Sequence, residues 1–223
     1  MFLTQKVISK ETEIQAFRWA LRLSAFTIGY NFIEGIVATF LGFQDETLAL
    51  LGFGIDSFIE LISAIGIAYM ITRIRRFPDV SRDRFEITAL RITGSCFYLL
   101  TVGLVITAVL NIVQSHQPET TFWGIVISAV SIITMWILIV LKMKVGEQLD
   151  SQPIIADAKC TKVCLWMSFV LLASSLIYEL THLGYLDSIA ALGIAYFSAK
   201  EGKEAFEKAQ GKNSCCDCEE DAS

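Results

Sequence analysis

Two pairs of residues in this chain have the types and spacing of metal ligands. Asp56 and Glu60 stand four apart inside an apolar run at 48–74, and Cys160 and Cys164 stand four apart inside another at 154–178. Residues at i and i+4 lie one above the other on a single helix face. A carboxylate near the middle of a hydrocarbon core costs about 2.5–3.5 kcal/mol on insertion scales, so two in one segment imply a use for them. One face offers oxygens and the other sulfurs. Together they make a tetrahedral set suited to zinc or a softer relative, whereas Mg²⁺ or Ca²⁺ want oxygen throughout. Each pair alone has a plainer reading, the cysteines as small packing residues and the carboxylates as a hydrogen-bonding pair.

Such a site needs two membrane helices to carry it. The chain has 223 residues, is 54% hydrophobic and only 18% charged, and has a mean hydropathy of +0.55. That composition belongs to a multi-span membrane protein. Six spans are expected, at 23–41, 48–74, 87–113, 122–141, 154–178 and 186–198, the last continuing as helix into the polar stretch beyond it. The fold class is therefore all-α, a six-helix transmembrane bundle. At 1.5 Å per residue, Glu60 and Cys160 fall about 10 Å from the inner surface, and Asp56 and Cys164 about 15–17 Å from it. The two pairs sit at one level.

Charge placement sets the orientation. Arg73, Arg75, Arg76, Arg82, Arg84 and Arg91 crowd the second loop, and Lys142 and Lys144 follow span four. None of the 18 basic residues lies in the three alternate loops. By the positive-inside rule both termini are cytoplasmic. The start of the chain lacks a cleavable signal pattern, so the first span is expected to stay as a permanent helix. Helices joined by short loops are expected to pack as antiparallel neighbours.

With all four ligands ionised, the set carries two negative charges more than a divalent ion neutralises, which is costly in a low-dielectric interior. Lys159 and Lys162, within one turn of Cys160, are the expected compensators. Asp157 is expected at the cytoplasmic mouth of the path. Asn31 and Glu34, one turn apart in span one, either line the outward cavity or hydrogen-bond across helices. Cys96 is read as a buried small residue. None of the six cysteines lies in an outward loop, which argues against a structural disulfide. The segment Ser214-Cys-Cys-Asp-Cys-Glu-Glu-Asp gathers Cys215, Cys216 and Cys218, a soft-metal tract that could deliver ions to the entrance or be simply an acidic end. The expected organisation is a membrane domain at 1–206 and a short acidic, cysteine-rich cytoplasmic tail at 207–223. No phosphate loop or Ser/His/Asp arrangement occurs, so neither an ATP-driven pump nor an enzyme is expected, and no nucleic acid is a partner.

The stretch Asn31-Phe-Ile-Glu34, followed by Leu48-Ala-Leu-Leu-Gly-Phe-Gly-Ile-Asp56-Ser-Phe-Ile-Glu60, resembles the first two spans of the cation diffusion facilitator family. Ala156-Asp157-Ala-Lys-Cys160-Thr-Lys-Val-Cys164 resembles that family's fifth-span Ala-Asp-x-x-His-x-x-x-Asp motif, and Leu186-Asp187-Ser-Ile-Ala-Ala-Leu its sixth-span opening. Glu60 stands where the family has aspartate, Cys160 and Cys164 where it has His and Asp. The resemblance is to a member lacking the family's cytoplasmic C-terminal domain. It implies proton-coupled efflux of a divalent, thiophilic cation such as zinc or cadmium by alternating access, at the cell (inner) membrane. No prosthetic group is implied, since the metal is the cargo. Partners would be the lipid bilayer, the metal and protons, with a homodimer as a further expectation. The alternative is a membrane-embedded sensor or delivery protein that binds metal without moving it.

Overall fold

A computed structural model describes residues 10–44, 48–77, 82–114, 122–181 and 185–211. Among these residues the chain forms six helices: α1 (Lys10–Gln44), α2 (Leu48–Arg76), α3 (Arg82–Gln114), α4 (Phe122–Leu149), α5 (Gln152–Thr181) and α6 (Tyr185–Ala209). Each expected span lies within one helix, and most helices run beyond their apolar stretch. In particular, α4 continues past Leu141 to Leu149, and α6 continues past Ser198 to Ala209. Thr12–Gln44, Leu50–Arg76, Asp83–Leu110 and Phe122–Leu149 are each long and apolar enough to cross a membrane. In α5 the apolar run is interrupted by Asp157, Lys159 and Lys162, and in α6 by the charges after Ser198.

Around the bundle the helices pack in the order α1, α2, α3, α6, α5, α4 and back to α1, with α2 also meeting α5 across the middle. The expectation of sequence-neighbour packing therefore holds for α1–α2, α2–α3, α4–α5 and α5–α6. It does not hold for α3, whose main partner is α6 rather than α4. Small residues make that pairing close. The Ser198 hydroxyl donates to the Phe97 carbonyl at 2.9 Å, and Gly202 lies against Phe97.

Two glycines set the distances that matter for the site. A Cβ on Gly54 would stand 2.7 Å from the Thr39 backbone nitrogen, so α1 and α2 touch here only because residue 54 has no side chain. A Cβ on Gly146 would stand 2.9 Å from Ile155 Cγ1 and 3.2 Å from the Ile155 nitrogen. The α4–α5 turn is correspondingly tight. Asp150 takes the left-handed conformation (φ 47°), and the Ser151 amide donates to the Gly146 carbonyl at 3.0 Å. This closes α4 with a non-glycine residue in the position glycine usually fills. Its consequence is a register in which Lys142 of α4 lies beside Asp157 and Thr161 of α5.

The interior is built from apolar clusters, one of them joining Ile59, Phe97, Leu100, Val163 and Ile194 from α2, α3, α5 and α6. Cys96 is buried in the same cluster, as expected. The outer faces carry large exposed apolar side chains, among them Phe40, Ile133, Trp136 and Phe197. In a membrane these faces meet lipid. One end of the bundle is basic. There Arg73 lies over the rings of Tyr69 and Phe77, at 5.1 and 5.4 Å, at the close of α2.

Candidate metal centre

Asp56, Glu60 and Ser63 recur at helical spacing on the side of α2 that meets α5. The facing side of α5 presents Asp157, Cys160, Thr161 and Cys164. All seven are buried. The four sequence-predicted donors, Asp56, Glu60, Cys160 and Cys164, are each 1% exposed or less. Cys164 adjoins both Cys160 and Asp56, and Glu60 acts electrostatically on Asp56 and both thiols. The donors are adjacent but not closed around a point. Among the described residues, no three His, Cys, Asp or Glu side chains are gathered tightly enough to hold an ion.

The polar satisfaction of the two carboxylates differs. Glu60 Oε1 accepts from the Thr161 hydroxyl at 2.5 Å, while Glu60 Oε2 has no partner. Neither Asp56 oxygen has an N–H or O–H donor, and its polar neighbour is the Cys164 thiol, a weak donor. A buried carboxylate oxygen left bare is costly, so these three atoms are suited to a cation or a proton.

The basic group at Glu60 comes from α4. The Lys142 ammonium lies 2.9 Å from Asp157 Oδ2 and 3.5 Å from Glu60 Oε1, and it donates to Thr161 Oγ1 at 2.7 Å. Asp157 Oδ1 in turn accepts from Ser63 at 2.7 Å, and Ser63 pairs with Thr93 of α3 at 3.1 Å. Four helices thus meet at one buried ionic cluster on the basic-end side of the four donors. Lys159 and Lys162, expected as compensators, do not join this cluster. Lys159 turns to α6, where it pairs with Glu201 at 2.9 Å and Glu204 at 3.0 Å, and Lys162 is exposed. Asp157 is not at an open mouth; it is 1% exposed and bound to Lys142.

Lys142 is the member of this cluster that the sequence reading did not single out. A signal for it exists. The buried face of α4 runs Gly124, Ser128, Ser131, Met135, Leu138, Lys142, Val145 and Leu149 at alternating steps of three and four. Lys142 continues that inward stripe, which the expected end of span four at residue 141 conceals.

Around the donors lie further polar groups. Glu34 accepts from Tyr30 at 2.8 Å within α1 and from Ser57 of α2 at 3.1 Å, so it does hydrogen-bond across helices. Asn31 is fully buried, and neither side-chain amide atom has a partner. Ser168 of α5 donates to Ser131 of α4 at 3.1 Å. Away from the basic end, a cavity of about 210 Å³ between α2, α3, α5 and α6 reaches Asp56, with Ile59, Leu100, Leu104, Met167 and Ile194 among its walls. At the basic end, Glu204 accepts from Lys208 at 2.6 Å as well as from Lys159. Partial burial raises its carboxyl, but the two ammonium groups outweigh that and hold it below the usual carboxylate range. Cys215, Cys216 and Cys218 lie outside the described residues.

A family model described as the cation efflux transmembrane domain matches residues 20–209, from within α1 to the last residue of α6.

Proposed function

The chain belongs to the cation efflux transmembrane domain family, whose members move metal cations across membranes, and on that premise we propose that it exports a thiophilic divalent cation, zinc or cadmium in type, in exchange for protons. Asp56, Glu60, Cys160 and Cys164 are the proposed ligands. The observation that carries this reading is the orphaned state of Asp56 and of Glu60 Oε2 beside two buried thiols. Carboxylate oxygens without partners and thiols in contact with them form a donor set with a chemical preference. Sulfur selects zinc, cadmium and softer ions over magnesium and calcium.

Coordination requires the thiols and carboxylates to be deprotonated, so cargo binding expels protons and protons can expel cargo. Exchange across a bilayer also needs the site to open to one side at a time. The asymmetry around Asp56 supports this. The Lys142–Asp157–Glu60 cluster closes the bundle toward its basic end, while the apolar cavity approaches Asp56 from the other. In the proposed cycle the basic end is cytoplasmic and the membrane is the cell (inner) membrane. A small rotation of α5 against α2 would gather the four donors on the ion and reverse the opening. The tail cysteines are proposed to feed the entrance.

Reconstitution in liposomes tests the proposal. Purified protein with an imposed pH gradient is expected to drive cadmium or zinc into the lumen, and a protonophore is expected to stop it. Saturable metal binding without gradient-dependent flux would instead identify a protein that senses or delivers metal.

A further inference from the structure

Lys142 carries more than a structural ion pair requires. Its ammonium has three oxygen partners: Asp157 Oδ2 at 2.9 Å, Thr161 Oγ1 at 2.7 Å and Glu60 Oε1 at 3.5 Å. Asp157 is complete with two of its neighbours, since Ser63 holds Oδ1 and Lys142 holds Oδ2. Glu60 is incomplete, with one oxygen engaged and the other bare. The ammonium is therefore shared between a fully satisfied carboxylate and one that belongs to the proposed ligand set.

We propose that Lys142 is a tethered cation that covers Glu60 in the metal-free protein, yields Glu60 to the arriving metal, and stays on Asp157. The proposal rests on the four-donor reading above and adds a determinant of charge selectivity to it. A covalently held ammonium is present at high effective concentration beside Glu60 Oε1, so a free monovalent ion competes poorly with it for the Glu60 charge. A divalent ion carries twice the charge and displaces it. Lys142 thereby excludes sodium, potassium and other monovalent ions from a site whose four anionic donors would otherwise attract them. The Lys142–Asp157 pair remains neutral when cargo binds, so Glu60 is freed without leaving a buried charge alone.

Cadmium titration of the purified full-length chain, with Cys215, Cys216 and Cys218 changed to serine in every sample, and with and without thallous ion as a soft monovalent competitor, tests this. In the native protein thallous ion leaves cadmium affinity unchanged. Lys142→Met paired with Asp157→Asn removes both charges and keeps an amide for Ser63. Because Lys142, not Asp157, lies against Glu60, loss of the cation dominates, and cadmium is expected to bind about tenfold tighter and to be displaced by thallous ion. Lys142→Arg keeps the charge and is expected to resist thallous ion as the native protein does. Unchanged or weaker cadmium binding in the folded double variant, or insensitivity to thallous ion, overturns the proposal. If the double variant does not fold, ¹⁵N-lysine NMR of the native chain decides. The Lys142 ammonium signal is expected to move on cadmium saturation, and a stationary signal rejects displacement. Cadmium binding that survives Cys160→Ser with Cys164→Ser would mean that the four-donor reading itself has failed.

Discussion

Asp56 is buried with no N–H or O–H donor on either oxygen, and that arrangement costs the folded protein stability. Leaving a buried polar group unsatisfied costs about 1–3 kcal/mol, so Asp56→Leu is expected to stabilise the metal-free protein by a similar amount while abolishing metal binding. Thermal unfolding and cadmium titration on the same sample would check both halves. Asp157→Ala is expected to behave oppositely. It leaves the Lys142 ammonium with Thr161 and the more distant Glu60 as partners and should cost about 1–3 kcal/mol, read as a lowered unfolding midpoint in the apo protein. At this scale the sequence was informative wherever a charged or thiol side chain interrupted an apolar run. Asp56, Glu60, Cys160 and Cys164 stand out for that reason, and all four are buried on facing helices. Lys142 escaped notice because it sits just past such a run, where lysine ordinarily marks a solvated helix end. Only the three-and-four spacing of Gly124, Ser128, Ser131, Met135 and Leu138 points inward through it.

The helices depend on contacts that hydropathy does not record. Gly146 lets α4 approach the start of α5 and so sets the register of Lys142 against Asp157. Gly146→Val is expected to force that turn apart at a cost of about 1–3 kcal/mol and, by drawing Lys142 away from Glu60, to tighten cadmium binding. Chemical unfolding alongside metal titration would show whether the loss of stability and the gain in affinity travel together. A second link between helices is the ladder from Lys159 of α5 to Glu201, Glu204 and Lys208 of α6. The Glu204 carboxyl is held below its ordinary range, so its contribution is fully present above the unfolded carboxylate range and is lost as pH falls through the lowered folded value. The α5–α6 contact is therefore expected to persist at pH 5 and to loosen only in stronger acid, with Glu204→Gln removing that acid step in hydrogen exchange of α6. The six helices were legible from apolar runs, because length and hydropathy alone define them. The α3–α6 pairing was not, since it arises from close approach of Gly202 and Ser198 to Phe97, and nothing in a single helix announces its partner.

The six helices close into a ring with α2 and α5 meeting inside it, and those two carry the proposed ligands. Asp56, Glu60, Asp157, Cys160 and Cys164 all lie on these two helices, while α1, α3, α4 and α6 expose broad apolar faces to the surroundings. One side of Asp56 is sealed by the Lys142 cluster and the other meets the apolar cavity. In the proposed cycle that asymmetry presents one buried site to two directions in turn. On the proposed reading a single ion draws oxygens from α2 and sulfurs from α5 into one shell. X-ray absorption on the zinc-loaded chain, with Cys215, Cys216 and Cys218 changed to serine, measures that shell directly. Two sulfurs at about 2.3 Å and two oxygens at about 2.0–2.2 Å are expected. An all-oxygen shell, or one that keeps its sulfurs after Cys160 and Cys164 are changed to serine, would rule out a shell shared by α2 and α5.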